Sequence, residues 1–154
     1  MLRGGGQQQA VAGRNAHIVA SGQGLAPGQG SFADGLLVCT TQCLACHGPQ
    51  GSGGTGGRLA GGLPMTANNP RPEKTIGQFW PYATTLFDTI RRAMPMQAPG
   101  TLRDAQTDAL CTCVLHLNAI IGAEAVIDAQ TLPRVQMPNR GGFVVAPRAD
   151  SALR

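Results

Sequence analysis

The chain of 154 residues is poor in aromatic side chains, with one Trp, one Tyr and four Phe. So few large rings leave an apolar interior that a bound prosthetic group would have to complete. Charge is sparse too, at 13% of residues, and the twelve basic residues are scattered, with Arg91-Arg92 the only adjacent pair and no aromatic interleaving. That excludes a nucleic-acid-binding patch. No segment approaches the roughly 20 apolar residues of a membrane span. Residues Met1 to Gly24 have no apolar central run, so they do not read as a secretory signal. The glycine-rich stretch 48–62 has no Gly-Lys-Ser/Thr and no preceding strand, which argues against a phosphate-cradling loop. There is also no second Cys-x-x-Cys and no paired His cluster, so zinc and thioredoxin-like readings of the one Cys-x-x-Cys fail.

What the chain does have is Cys43-Leu44-Ala45-Cys46-His47, the spacing of covalent c-type haem attachment. Two thiols three residues apart on one helical turn reach the two vinyl groups of a porphyrin. The next residue, His47, then falls under the iron and offers an imidazole. One haem c is expected, held by Cys43 and Cys46 with His47 as an iron ligand. Such attachment takes place outside the cytoplasm, which points to the periplasm even though the N-terminal residues do not look like a signal.

Twenty-two glycines and eleven prolines suit short helices joined by long turns. The expected fold class is all-α, three to four helices around the haem. Residues 1–30 read as a flexible arm, with His17 solvated, 31–118 as the haem domain, and 119–154 as an extension packing on the domain or on a partner. A first helix is expected from Phe32 to about Cys46, capped by Ser31 with Asp34 three residues on, and with Leu36, Cys39 and Cys43 as its apolar stripe. The glycine loop then brings backbone close to the haem, where a carbonyl near Arg58 or Leu59 would accept a bond from the far nitrogen of His47. Residues 63–82 read as irregular. Trp80 and Tyr82 within them, together with Arg58, are candidates for the haem edge or a propionate, with core packing the alternative for the two rings. Two more helices are expected, Thr84–Ala93 with Leu86, Phe87 and Ile90 inward, and Leu102–Asn118 capped by Thr101 with Asp104 three on. Beyond them only Ala123–Ala129 offers a brief helical pattern.

An electron carrier needs a second axial ligand, and a thioether raises the potential relative to a second histidine. Among five methionines, Met1 is terminal, and Met65 and Met137 lie in proline-flanked irregular stretches. Met94 and Met96 follow the short helix, where a loop would return over the distal face. Met94 is preferred because it ends the helix just before Pro95. His116, in mid-helix among apolar residues, reads as structural.

Taken together, Gly35 and Cys39 eight and four residues before Cys43, the haem motif, Met94-Pro95 and a final helix resemble the small helical cytochromes c. A longer resemblance runs over about residues 73–143. Glu73-Lys74-Thr75-Ile76-Gly77, Trp80 through Asp88, Ile90 through Pro95, Leu115-His116-Leu117-Asn118 and the tail from Asp128 to Arg140 are similar to the cytochrome c subunits of sulfite and sulfane dehydrogenases. This resemblance implies that Met94 is the iron ligand and that a molybdenum-cofactor subunit feeds electrons to the haem. A downstream cytochrome or oxidase would receive them. The alternatives are a free diffusible periplasmic cytochrome c, and an enzyme with an open sixth site. In the small cytochromes the first and last helices cross at the glycine with interlocking aromatics. Cys39 and Cys113 stand at those positions here, and if the crossing is kept they face each other, either as a disulfide or as two small buried residues in a looser crossing. Cys111 would point elsewhere and stay free.

Overall fold

A computed structural model describes residues 17–62, 68 and 73–144. The elements run β1 (Gln29–Ser31), α1 (Phe32–Gln42), α2 (Leu44–His47), α3 (Ile76–Phe79), α4 (Ala83–Ala93), α5 (Asp104–Leu117) and β2 (Val126–Asp128), with 3-10 turns at Pro49–Gly51 and Leu132–Arg134. The architecture is helical, and among the described residues no helix is long and apolar enough to cross a membrane. The three-residue strands pair antiparallel, Gly30 opposite Ile127.

The helix starts have local causes. Ser31 Oγ accepts from Asp34 N at 3.2 Å and donates to the Asp34 carboxylate at 2.6 Å, which caps α1 as its sequence implied. Helix α5 starts later than expected. Arg103 is its cap, with Gln106 Oε1 accepting from Arg103 N at 3.0 Å, while the Thr101 hydroxyl turns back to the Ala98 carbonyl.

Helix α1 is also shorter than expected, ending at Gln42, with Cys43 the joint to α2. Thr40 and Thr41 bond back onto the carbonyls of Leu36, Leu37 and Val38, an arrangement that bends helices and competes with their continuation. The buried face of α1 is Gly35 and Cys39, whereas Leu36 and Leu37 are 47% and 69% exposed, so the expected stripe loses Leu36. The reason is a close crossing with α5. A Cβ on Gly35 would stand 1.9 Å from the Ala109 carbonyl oxygen, and one on Gly30 2.0 Å from Ala109 N. Only glycine lets these backbones meet. The core between α1, α4 and α5 holds Leu86, Phe87, Ile90, Leu110, Val114 and Leu115.

The described parts of the flanking segments are joined to the core. From His17 onward the arm is placed against the domain, with Ile18 and Leu25 on the core and β1 in the sheet; residues 1–16 lie outside the described set. The stretch 123–129 holds β2, Val126–Asp128, instead of a helix, because Ile127 fills the core opposite Gly30. Leu132, Val135 and Met137 are likewise buried in the chain's own core. Within the stretch expected to be irregular, α3 forms and is tied down by Asn118. The Asn118 amide accepts from Gly77 N at 3.2 Å and donates to the Leu59 carbonyl at 3.1 Å, joining three segments distant in sequence.

Candidate functional site: a thiol pair and a held imidazole

Helix α2 is a single turn carrying Cys46 and His47, with Cys43 at the joint before it, all three half-buried. Its geometry comes from Cys43 O, which accepts from Cys46 N at 3.1 Å and His47 N at 2.9 Å, and from Gly48, whose φ of 73° ends the turn. Both thiols therefore leave one side of one turn with the imidazole next to them. The neighbouring Cys39 sulfur and then burial push the Cys43 thiol well above its ordinary pKa.

The glycine loop is wrapped on this turn. Gly53 N donates to His47 O and Gly56 N to Cys46 O, both at 2.7 Å. His47 Nδ1 lies 2.7 Å from the Gly57 carbonyl oxygen. A carbonyl can only accept, so Nδ1 carries the proton and Nε2 keeps its lone pair for a metal. The sequence placed this carbonyl near Arg58 or Leu59; it belongs to the residue before. The glycines are required by close approach, since a Cβ on Gly56 would lie 2.9 Å from the His47 ring and one on Gly54 2.6 Å from Cys46 O. No sequence signal singled out Gly56 or Gly57 within a run of glycines.

The remaining candidates are spread around the turn. Met94 immediately follows α4, its N–H bonded to Ile90 O, and its half-buried side chain packs on the core. Met96 is 75% exposed, Met137 is a core residue, and Met65 lies outside the described residues. His116 packs on Phe32 with ring centroids 4.2 Å apart and holds the Ile121 carbonyl through Nδ1, a structural role. Trp80 packs half-buried on the core. Tyr82, also half-buried, has the Arg140 guanidinium 5.5 Å above its ring. Arg58 is exposed and paired with Glu73 at 3.1 Å.

These residues fit a covalently attached porphyrin. Cys43 and Cys46 would supply the thiols and His47 Nε2 a lone pair for the iron, while Leu59, Trp80 and Met94 present apolar side chains only half-covered by protein. When bound, such a group supplies one-electron chemistry. Asn118 fixes Leu59 at the end of the glycine loop, a role that neither its place at the end of a helix nor its place in the Leu115–Asn118 run announced.

The comparisons with known proteins agree with this geometry. The family profile described as cytochrome c matches residues 32–118. The solved structure of the sulfane dehydrogenase SoxCD from Paracoccus pantotrophus is similar, with a TM-score of 0.84 and 32% identity over 94% of this chain and 71% of that one. No curated protein sequence matches. The chain therefore belongs to the cytochrome c family and is an electron-transfer protein with covalently bound haem c.

Proposed function

We propose that this protein is the monohaem electron-transfer partner of a molybdenum-dependent sulfite or sulfane dehydrogenase subunit, working in the periplasm. It takes single electrons from that subunit and passes them to a downstream cytochrome or oxidase of the respiratory chain. Cys43 and Cys46 hold the haem through thioethers, and His47 Nε2 and the Met94 thioether are the axial ligands. Trp80 and Tyr82 lie towards the haem edge, and Arg58 serves a propionate when it is released from Glu73. With both axial positions filled, small oxidants find no open site on the iron, and the chain's part is to set potential and docking.

The observation that carries the partner is the likeness to the sulfane dehydrogenase structure over 94% of the chain, a span that includes more than the residues 32–118 of the family profile. The C-terminal segment supplies no separate argument for a partner, because Ile127, Leu132, Val135 and Met137 are buried at home. That burial is what a free diffusible carrier would also show, and it keeps the carrier as the second reading. Gentle purification from the native host with metal analysis separates the two. A molybdenum-to-iron ratio near one supports the complex, and iron without molybdenum at every ionic strength tried supports the carrier.

A further inference from the structure

Three cysteines remain after the haem motif, and two of them meet. Cys39 on α1 and Cys113 on α5 face each other across the crossing at Gly35, with exposures of 3% and 0%. The crossing is tight enough that a Cβ on Gly35 would lie 2.8 Å from the Cys113 Cβ. One turn further along α1, Cys39 has Cys113 of α5 as a thiol neighbour on one side, and on the other Cys43, whose N–H bonds to Cys39 O at 2.9 Å. Cys39 is thus placed between a partner on the last helix and one of the two haem cysteines. Cys111, two residues before Cys113 on the same helix, points away from this pair and is fully buried beside Asp108.

We propose that Cys39 and Cys113 are joined by a disulfide in the mature protein, which staples α1 to α5 and reserves Cys43 for the porphyrin. Both side chains are buried at the one crossing of α1 and α5, so the two thiols are neighbours before any bond joins them. Oxidation forms one sulfur–sulfur bond and releases two electrons and two protons. A disulfide-bearing thiol oxidant accepts both, its own sulfur–sulfur bond breaking to give two thiols. Because the pair is buried, exchange takes place before α5 docks on α1, and burial then shields the bond from reductants. The consequence for the site is chemical. An unoxidised Cys39 stays in contact with Cys43 and can take it into a competing disulfide, which would leave the porphyrin one thioether short. Pairing Cys39 with Cys113 removes that competitor.

The inference rests on the periplasmic reading proposed above, since a thiol-reducing compartment would not sustain the bond. The test keeps the two separable. The haem-loaded protein is denatured without reductant, alkylated, digested and mapped by mass spectrometry. The expected result is a haem-bearing 43–46 peptide, a crosslinked 39–113 pair and alkylation at Cys111 alone. Alkylation of all three spare cysteines in haem-loaded protein overturns the disulfide while leaving the haem site intact. A 39–113 crosslink in protein that carries no haem supports the disulfide and counts against the site. Haem content per chain of two variants tests the second half of the proposal. Cys113→Ser leaves Cys39 with Cys43 as its sole thiol neighbour and loses haem, and C39S/C113S restores it. Full haem loading of Cys113→Ser would show that Cys39 does not compete for Cys43.

Discussion

Replacing Gly35 by alanine sets two effects of opposite sign against each other. In an exposed helix the change stabilises by about 0.5–1 kcal/mol, because alanine loses less backbone entropy on folding. Here the new methyl would lie 1.9 Å from the Ala109 carbonyl oxygen, 2.7 Å from its carbon and 2.8 Å from the Cys113 Cβ. Restoring ordinary contact requires the two helices to part by about 1.5 Å, which opens the packing on both sides of the crossing. Overpacking against movable side chains costs about 1–3 kcal/mol, and against a helix backbone the cost sits at or above the top of that range. The net loss is about 2 kcal/mol or more, a fall in Tm of about 4–8 °C for a chain of this size. Thermal unfolding followed by far-ultraviolet circular dichroism reads it. Gly122→Ala is the control, since no heavy atom lies within 4 Å of its added methyl, and its effect stays within about 0.5 kcal/mol. A Gly35→Ala protein as stable as the wild type would show that the α1–α5 crossing is looser than described.

Gly56→Ala pushes a methyl to 2.9 Å from the His47 ring, so the imidazole turns and the Gly57 bond weakens. The expected readout is a shifted haem absorption spectrum with haem still attached, and an unchanged spectrum would remove the loop from its role in holding His47. Met94→Ala lowers the reduction potential and alters the ferric spectrum, while Met96→Ala, at a 75% exposed position, leaves both as they were; the reverse pattern would reassign the ligand. The Asp108 carboxyl is raised from 3.8 to about 7, first by burial and then by repulsion from Asp104 and Asp128, with Arg91 pulling the other way. The folded state therefore binds this proton more tightly than the unfolded chain. Its contribution to stability is present below about pH 4 and is lost as pH rises through 7, with a slope of up to about 1.4 kcal/mol per pH unit. Asp108→Asn flattens the dependence of Tm on pH over that window, and equal slopes in the two proteins would place the titration elsewhere.

What the sequence made legible was local. The Ser31–Asp34 cap, the inward Leu86, Phe87 and Ile90, and the spacing of Cys43, Cys46 and His47 each lie within a few residues and announce their geometry by type and period. The exposed Leu37 shows where that logic stops. Which face of α1 is buried was decided by the glycine that lets Ala109 approach, and hydrophobicity had no vote there. β2 has three residues and pairs with a strand nearly a hundred positions earlier, so no periodicity could reveal it. The carbonyl expected near Arg58 is that of its neighbour Gly57, and a glycine run fixes no φ in advance that would have named the residue. Asn118 bonds Gly77 and Leu59, and only folding brings those partners together.

The most direct test of the account is electron delivery from a sulfur substrate to this haem. The protein is purified together with its proposed molybdenum subunit, oxidised, and mixed with sulfite or a sulfane-sulfur donor while haem absorbance is followed. The account predicts that the reduced haem spectrum develops with substrate and that Met94→Ala, with its lowered potential, slows it. A haem that stays oxidised with either substrate, yet is readily reduced by a chemical reductant, would contradict it.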